Sequence, residues 1–589
     1  MKAIPSRIFG VLLVVLLSFS SLAVVNVKAQ EENTIMIQPD GTIQGTDKIQ
    51  KNNNIYTLTS DITCSKDMAE TLIFILKDNI ILDGNSYTIS SNGNGIGIHL
   101  RGRQNVTIKN LNIIDFGTGI GFGFSKDYPT REAVRLTAKN NKIINNHITS
   151  YYWGIELTNT DTTIISDNSF TSTNPQYGVS LGNSNNIQFY NNKLYGGSLK
   201  IDTLTNYQIF DNTINDKPLI VLQGESNKII DGAGQVILID CFNMQIKNVN
   251  PATDQRETIQ LMSTNNSQIT KCTGRITLSN SHYNIISNND LSKITSISFP
   301  SQSVIVLSTS NFNLIYENQI TECDNEAISL TGSDFNYIFK NSISKCNSGI
   351  WLLGSNNNSI FQNNIENSNF GIKLAFQQFV SIPPYCYNNS IYENTISSCT
   401  QGIHLFSADE NKIYRNNISN SSEYGVFLCF ADSNTFYNNN FLYNENQIYE
   451  EHYWFSGLEH IEYFSENNTW NAILPTGGNF WSDYIGEDNN GDGFGDSPHI
   501  IFENMTDYYP LISAITITNS PLPDFPTPPP TPSPTTTPTL SPTPTPTPSP
   551  SPSPESESEF PTTQILSLAL TVIIGLAILA YSMKKRRAR

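Results

Sequence analysis

An acidic loop near the end of the regular part of the chain carries the clearest chemistry in this sequence. Oxygen-bearing side chains occupy loop positions one, three, five and nine, a glycine occupies position six, and a main-chain carbonyl is available at position seven. This order is typical of the first part of a calcium loop. The predicted ligands are Asp488, Asn490, Asp492, Phe494 and Asp496. We expect a structural Ca²⁺ here; the alternative is an Asn/Asp/Gly turn without metal.

The predicted calcium loop needs a further ligand. Ca²⁺ takes roughly six to eight oxygens, and this run offers about five. Position twelve is His499 rather than the bidentate Glu of an EF-hand loop. The candidates to complete the site are Asp483, Glu503, Asp507 and water.

A column of aromatic residues is the second candidate site. Six rings recur with the sequence repeat, and each follows an apolar residue expected to point into the core, so the rings should point outward along one face. They are Tyr316, Phe339, Phe361, Tyr392, Tyr414 and Tyr437. Such rings could stack on one another and stabilise the sheet, or they could bind the flat faces of sugars. Both interpretations remain open from the sequence.

No set of residues stands out as catalytic. Acid/base catalysis requires carboxylates, bases or a metal that converge in a cleft, and the acidic residues here show no distinctive pair. A polar column follows the aromatic one and places opposite charges on adjacent repeats, which indicates a solvated row of ion pairs. Its members are Glu317, Lys340, Gln362, Glu393, Arg415 and Asn438. We therefore predict no catalytic residues.

The elements that position these columns follow from a repeat, Asn-x-Ile-aromatic-x-Asn followed by Gly-Ile-x-Leu. Six copies lie between residues 313 and 441, at steps of 23, 22, 31, 22 and 23 residues. This period, with strand-like alternation and Asn/Gly turns, predicts an all-β solenoid, a parallel β-helix with coils of about 22 residues. The asparagines should pair their amides along bends, and the glycines should supply backbone freedom. Residues 235–310 are less regular, so we expect longer turns or a distorted coil there.

With these motifs, and with the closing segment 445–515 that contains Gly478-Asn-Phe-Trp-Ser-Asp483, the chain resembles exported right-handed β-helix proteins with NosD-type repeats. These are also described as carbohydrate-binding and sugar-hydrolysis (CASH) domains. The resemblance spans roughly residues 35–515 and implies a right-handed helix. It leaves the activity open, because the family includes binders, epimerases, lyases and accessory proteins. His, Met and Cys do not cluster, which argues against a copper-handling role.

The two ends of the chain predict export and membrane anchoring. Residues 1–29 are typical of a signal peptide, with an uncleaved anchor as the alternative. Residues 564–583 predict a transmembrane helix, and the basic tail 584–589 places the C-terminus in the cytoplasm. Between these, the Pro/Thr/Ser-rich residues 516–563 predict an extended stalk. The β-helix domain, residues 30–515, would then lie outside the cell.

Composition adds two expectations. The net charge of −18 disfavours nucleic acid and anionic polysaccharide as partners. Cys323, Cys346 and Cys399 occupy one small-residue column of the repeat, so we expect unpaired core thiols, with a Cys323–Cys346 bridge as the alternative. Eight Asn-x-Ser/Thr acceptors suit an exported glycoprotein.

The sequence therefore predicts a membrane-anchored cell-surface β-helix protein that binds glycans or acts in adhesion. The alternative is a polysaccharide-active lyase, hydrolase or epimerase on the same scaffold. A structural component of the cell envelope is the third hypothesis. The inserted residues 375–388 could wall a groove. The ligand and the oligomeric state do not follow from the sequence.

Overall fold

The computed structural model describes residues 34–64, 71–122, 137–174, 178–201, 206–251, 258–294, 303–375, 386–451, 453–454, 462–463, 465–502 and 505–528. Every regular element in these segments is a β-strand, as predicted. None of them contains a helix long and apolar enough to cross a membrane. The predicted signal peptide, transmembrane helix and basic tail lie outside the described residues.

Three extended sheets hold most of the strands in these segments. The first narrow sheet contains Ile49–Asn52, Ile55–Leu58, Ile81–Asp83, Thr107–Lys109, Lys142–Ile144, Ile164–Ser166, Gln188–Tyr190 and Gln208–Phe210. The second narrow sheet contains Ile229–Asp231, Gln245–Lys247, Gln268–Thr270, Ile285–Ser287, Leu314–Tyr316, Tyr337–Phe339, Ser359–Phe361, Ser390–Tyr392, Lys412–Tyr414 and Thr435–Tyr437.

The long sheet runs through both halves of the solenoid. It contains Ile35–Ile37, Ile43–Gln44, Ile62–Thr63, Thr71–Ile75, Thr88–Ser90, Ile96–His99, Asn112–Gly121, His147–Leu157, Ser169–Ser172, Val179–Leu181, Lys193–Tyr195, Leu199–Ile201, Asn212–Ile214, Lys217–Gln223, Gln235–Ile239, Ile259–Met262, Ile276–Ser279, Ile305–Ser308, Gln319–Thr331, Ser342–Leu353, Asn364–Glu366, Phe370–Leu374, Thr395–Ser397, Gln401–Phe406, Asn417–Ser419, Tyr424–Cys429, Asn440–Leu442, Asn446–Glu450 and Phe480–Trp481. Short pairs join Ala138–Lys139 with Thr160–Asp161, Cys386–Tyr387 with Ala408–Asp409, Tyr453–Trp454 with Glu462–Tyr463, and His499–Phe502 with Met505–Asp507.

Each regular coil visits the second narrow sheet once and the long sheet twice. In one coil, Ser359–Phe361 lies in the narrow sheet, and Asn364–Glu366 and Phe370–Leu374 lie in the long sheet. Successive coils pair in parallel and in register, so that Ile360 aligns with Ile391. Both isoleucines are fully buried. Stacked apolar positions of this kind form the core of a parallel β-helix.

Two rows of buried asparagines hold the corners of the narrow sheet. Asn394 shows the pattern: its Nδ2 donates to Asn416 Oδ1 at 3.0 Å and to the Ile360 carbonyl at 2.9 Å. Its Oδ1 accepts the main-chain and side-chain N–H groups of Asn363, both at 3.0 Å. This row, the asparagine ladder, runs through Asn289, Asn318, Asn341, Asn363, Asn394, Asn416, Asn439 and Asn479. The predicted amide pairing is confirmed.

The residue before each ladder asparagine from Asn289 to Asn439 has a left-handed backbone. The φ angles of Gln362, Glu393 and Arg415 are 55°, 56° and 54°. For a residue with a side chain this conformation costs about 1–2 kcal/mol, so the ladder bonds that follow must hold each corner. The predicted polar column lies at these corners.

The glycines of the Gly-Ile-x-Leu motif are needed for space rather than for backbone freedom. A Cβ on Gly371 would lie 2.4 Å from the Gly402 carbonyl oxygen and 2.5 Å from Ile396 Cγ2. Gly349 and Gly425 are equally close to the next coil, and none of these glycines has a positive φ. Our sequence-based explanation of this column was therefore wrong.

The solenoid consists of two halves that meet at a chain reversal. Asn212–Ile214 and Lys217–Gln223 pair antiparallel, whereas the coils on either side pair in parallel. Alternate residues of the second strand serve different cores, because Leu219 packs in the N-terminal core and Leu222 packs against the C-terminal one. The two cores therefore share this part of the long sheet.

The predicted irregular stretch 235–310 contains coils of unequal length. Positions in the second row of buried polar residues step by 17 residues between Ser267 and Asn284, and by 29 residues between Asn284 and Asn313. The expectation of longer turns is thus confirmed in part. The short coils lack the middle strand, as where three residues link Ile229–Asp231 to Gln235–Ile239.

Cys323 and Cys346 form a disulfide between neighbouring coils. The prediction of unpaired thiols was therefore wrong for this pair. The register aligns the two residues and places their Cα atoms 4.7 Å apart, which a disulfide can span. Cys399 is a buried free thiol, as predicted, because the same position is Ser368 in the coil before it and Ser421 in the coil after it.

Asp507 ends the asparagine ladder. Its Oδ2 accepts the Asn479 main-chain N–H at 2.7 Å and the Trp481 indole N–H at 2.9 Å, and its Oδ1 accepts the Tyr509 N–H at 3.0 Å. Burial raises the pKa of Asp507, although these hydrogen bonds oppose the shift. A Cβ on Gly478 would overlap the carboxylate. Asp507 is therefore a structural cap.

We expect Asn394→Ala to lower the free energy of unfolding by about 3 kcal/mol, because it leaves buried donors of Asn363 without an acceptor. Urea denaturation followed by intrinsic fluorescence measures this change. The control is Lys412→Ala, an exposed position in the same half, which should change stability by less than about 0.5 kcal/mol. Equal stability of the two variants would show that the ladder does not hold the corners.

Candidate ligand-binding surfaces

The predicted aromatic column is a continuous stack of rings on the second narrow sheet. Neighbouring centroids are 4.8–5.0 Å apart, and the ring planes are within 13° of parallel. The stack contains Tyr316, Phe339, Phe361, Tyr392, Tyr414 and Tyr437. Only 2% of Phe339 and 1% of Phe361 is exposed. The geometry therefore favours a stabilising stack over an open sugar platform.

Residues 515–525, which we call the strap, cover part of this stack. They run back along the solenoid, opposite to the order of the coils. Ile515 exchanges two hydrogen bonds with the Asn440 side chain, at 2.9 and 2.8 Å. At the other end, Phe525 stacks on Phe339 with centroids 5.3 Å apart and meets the edge of Tyr337 at 5.2 Å. The segment predicted as a stalk from residue 516 thus begins against the solenoid.

Glu393 lies beneath the middle of the strap. Its carboxylate accepts the main-chain N–H of Ser520 at 2.8 Å and also the Ser520 hydroxyl. Arg415 Nε lies 3.2 Å away, and Gln362 Nε2 donates at 3.0 Å. Desolvation opposes ionisation, but these hydrogen bonds hold the pKa of Glu393 below its ordinary value. In the Glu393–Arg415 ion pair of the polar column, the carboxylate is therefore buried: only 1% of the Glu393 side chain is exposed.

A second aromatic surface lies on the outer side of the Gly-Ile-x-Leu strands, and the sequence analysis missed it. The x positions of five successive coils align in register, and we call them the outer row: Trp351, Lys373, His404, Phe427 and Tyr449. His404 lies flat on Phe427, with ring centroids 4.5 Å apart. Lys373 Nζ lies 5.6 Å from the Trp351 ring centroid. The row is a track of rings that contains one amine.

A parallel column packs against the outer row. Phe370 lies 4.5 Å from Lys373 Nζ and meets the His404 ring edge-on at 5.2 Å. Tyr424 stacks on Tyr449 with centroids 4.4 Å apart. Tyr449 is 37% exposed, so the track opens to solvent at this end.

Burial disfavours the charged forms of both His404 and Lys373 in the outer row. Burial, and to a smaller extent Lys373, lowers the pKa of His404 to about 3. Its Nδ1 lies 2.8 Å from Gln401 Oε1, and Gln401 Nε2 donates to Glu423 at 3.1 Å. Burial also lowers the pKa of Lys373, against the opposing charge of Glu326. The row can therefore offer hydrogen bonds and ring faces together.

The sequence contains a signal that could have identified the outer row. The x of Gly-Ile-x-Leu is Trp351, Lys373 and His404 in three consecutive repeats, and Phe427 holds the same position in the next repeat, Gly-Val-Phe-Leu. Large side chains at an outward strand position are candidates for contact with a ligand. We had assigned the whole motif to the scaffold.

The predicted calcium loop is exposed and hydrogen-bonded within itself. Asp488 accepts N–H groups from Gly491, Asp492 and Gly493, at 2.7, 3.2 and 2.9 Å. Asp496 accepts the main-chain and side-chain N–H groups of Asn489, both at 2.8 Å. The donor set consists of oxygens, which Ca²⁺ prefers. Nowhere among the described residues do three or more His, Cys, Asp or Glu side chains gather as a metal site.

Two of the three side chains predicted to complete this loop have other partners. Asp507 is the ladder cap, and Asp483 Oδ1 faces His499 Nε2 at 4.0 Å. Glu503 lies outside the described residues. So do residues 376–385 of the insertion 375–388, where we had placed a groove wall.

A family model for the right-handed β-helix region matches residues 276–441. This stretch contains the most regular coils of the structure. No curated protein matches the chain.

Solved structures with a parallel β-helix are similar at low identity. The Dettilon tailspike protein is 15% identical with a TM-score of 0.29; the match covers 52% of this chain and 62% of the tailspike, less than two thirds of its length. The periplasmic alginate epimerase AlgG is 12% identical, with a TM-score of 0.26 and coverage of 63% and 79%. The family 28 exopolygalacturonase of Yersinia enterocolitica is 9% identical, with a TM-score of 0.27 and coverage of 57% and 73%. The likeness concerns the fold alone.

The low pKa of His404 makes stability depend on pH. Because the unfolded chain binds a proton near pH 6.5 and the folded chain only near pH 3, stability is lost as the pH falls between these values. Between about pH 7.5 and about pH 5, we expect His404 to account for a loss of about 2 kcal/mol. Urea denaturation of the wild type and of His404→Gln at both pH values measures this loss of stability. The variant should lack the part that His404 causes. His147→Gln, at an exposed position, should keep the wild-type difference; loss of it there too would exclude His404 as the cause.

Proposed function

We propose that this chain is a cell-surface β-helix protein that binds neutral glycans through the outer row. The observation that carries this proposal is the alignment of its five side chains on successive coils. At a coil spacing of about 4.8 Å, the track is about 19 Å long. A linear glycan is the ligand whose shape and repeat suit such a track.

The chemistry of the outer row suits a sugar. Sugar rings have apolar faces that stack on aromatic rings and hydroxyl groups that need hydrogen-bond partners at the edge. Tyr449 offers an exposed ring, and Gln401 and Glu423 supply polar groups beside the row. Nδ1 of the neutral His404 imidazole donates to Gln401 Oε1, so Nε2 is the acceptor that could receive a sugar hydroxyl.

Charge favours a neutral glycan over an acidic one. The chain has a net charge of −18, which repels polyanions at long range. Lys373 is the single amine of the outer row, and it is packed against Trp351 and Phe370. It cannot offset the charge of a long acidic polymer.

The location outside the cell rests on the sequence. The signal peptide 1–29, the stalk and the helix 564–583 would export the β-helix domain and anchor it by a single membrane span. The short tail 584–589 would then lie in the cytoplasm. Surface adhesion through glycans of neighbouring cells is compatible with this arrangement.

A second candidate function is a polysaccharide lyase or epimerase. Burial lowers the pKa of both His404 and Lys373, which are adjacent in the outer row. An amine with a lowered pKa suits abstraction of a proton from a sugar carbon. His404, with a pKa of about 3, is too weak a base for this step and would position the sugar beside Lys373. Hydrolysis is less well supported, because it needs two carboxylates that flank the bond, and the outer row contains none.

The loop from Asp488 to Asp496 would bind Ca²⁺ in a structural role. Its oxygen ligands match the first nine positions of a calcium loop in type and order. An ion there would hold together the exposed closing segment, where Asp488 already organises three main-chain N–H groups. Water could complete the coordination.

Glycan binding is tested with the exported domain on an array of neutral and acidic oligosaccharides, followed by calorimetry. We expect Tyr449→Ala to weaken binding about three- to tenfold, because it removes an exposed ring from the track. Tyr443→Ala is the control, since Tyr443 is 76% exposed and lies outside the outer row. Equal effects of the two substitutions would overturn the assignment of the row.

The same incubations distinguish a binder from an enzyme. The proposal predicts bound glycan without product in mass spectra. An unsaturated or epimerised product that disappears in His404→Gln would instead establish the enzyme.

Calcium binding is tested by thermal unfolding in Ca²⁺ and in EDTA. We expect Ca²⁺ to raise the unfolding midpoint by about 2 °C or more, because a ligand of the folded state stabilises it. Asp492→Ala should abolish this shift, and Glu487→Gln, an exposed neighbour outside the ligand set, should retain it. No shift in the wild type would leave the loop as a metal-free turn.

A further inference from the structure

We propose that the ring stack and the polar column beside it form a binding groove for an extended peptide, and that the strap occupies this groove as a displaceable segment of the same chain. This goes beyond glycan binding by the outer row, which lies on the Gly-Ile-x-Leu strands of the long sheet. The ligand class follows from the groups that the strap presents to the solenoid.

Solenoid side chains bind the strap at successive coils. Asn440 bonds both main-chain groups of Ile515. One coil back, Arg415 Nη2 donates to the Thr518 carbonyl at 3.1 Å. Because the groove binds main-chain groups, it recognises an extended peptide by a repeating pattern.

Two further positions select side chains. Glu393 accepts the hydroxyl and the N–H of Ser520, which requires a small donor there and excludes a carboxylate. The Gln362 amide donates to the Ser520 carbonyl at 3.0 Å. Phe525 fills the last position by stacking on Phe339. The groove thus requires a hydroxyl side chain and, further along, an aromatic ring.

Several features indicate that the strap can leave. It pairs with no strand of the described solenoid, and no main-chain to main-chain hydrogen bond joins it to the coils there. Ser520 and Leu522 are exposed. With the strap in place, Gln362 Oε1 is buried and lacks a hydrogen-bond partner among the described residues, which costs about 1–3 kcal/mol. Solvent could satisfy this oxygen when the strap is displaced.

The strap is also suited to rebinding. Pro521 and Pro523 restrict the free segment to extended conformations, so little conformational entropy is lost on docking. Its inner end is fixed, because Ile512 N–H donates to the Gly493 carbonyl. The strap therefore stays close to its groove and competes with any peptide added from solution.

The test uses the full chain in detergent and a fluorescein-labelled synthetic peptide of residues 512–528. In the double variant Ser520→Asp/Phe525→Ala, the strap places a carboxylate against Glu393 and loses its ring. Fluorescence anisotropy should show that this variant binds the peptide at least about tenfold more tightly than the wild type, whose own strap competes. Adding Glu393→Gln should weaken this binding about tenfold, because a charge-assisted hydrogen bond is lost. Leu522→Ala, at an exposed strap position, should behave like the wild type.

Two results would overturn the proposal. If the double variant folds but does not bind the peptide, the groove is not a peptide site. If the double variant fails to fold, the strap is a fixed part of the domain. The same follows if the strap and the solenoid unfold together in a single transition. Hydrogen exchange of the wild type decides between a fixed and a displaceable strap in either case. The Ile515 and Ser520 amides, which donate to solenoid side chains, should exchange at least about 100-fold faster than the Asn394 amide of the ladder. Equal rates would show a fixed strap.

Discussion

The structure depends on the satisfaction of buried amides at the corners of the coils. A chain that turns sharply every few residues brings polar main-chain groups into the interior, and each unpaired group would cost about 1–3 kcal/mol. The ladder from Asn289 to Asn479 supplies both a donor and an acceptor at one corner of every coil. Because each amide bonds the same position in the next coil, the ladder also sets the register of the stack.

This register turns single outward residues into continuous surfaces. A side chain at a given position of the repeat therefore lies above its counterpart in the next coil. The ring stack at Tyr392 and the outer row at His404 are two such columns, on different sheets. Substitution of one outward position in each repeat therefore changes a whole surface, and the core is unaffected.

Whether a feature could be predicted from the sequence depends on how far apart in the chain its contacting residues lie. The coils, the ladder and the ring column were predictable because each depends on a period that one repeat displays. The chain reversal at Lys217–Gln223 was not, because it depends on a strand whose two faces serve two cores. The strap was also missed, because its contacts are not part of the repeat: Ser520 meets Glu393 across 127 residues. The outer row lay within the repeat, but we attributed its motif to the scaffold.

The two aromatic columns differ in a way that their neighbours explain. Beside the ring stack, each corner holds a polar side chain on a left-handed residue, so Gln362, Glu393 and Arg415 present donors and acceptors at coil spacing. An extended chain offers main-chain groups at about 3.3 Å per residue, which is closer than the spacing of the coils. Some of these groups can therefore bond to the corners while the chain lies over the rings. Beside the outer row, Phe370 and Tyr424 are rings, and Gln401 between them is already hydrogen-bonded to His404 and Glu423. That surface lacks a regular set of main-chain partners, and it therefore favours a ligand with flat apolar faces over a polypeptide.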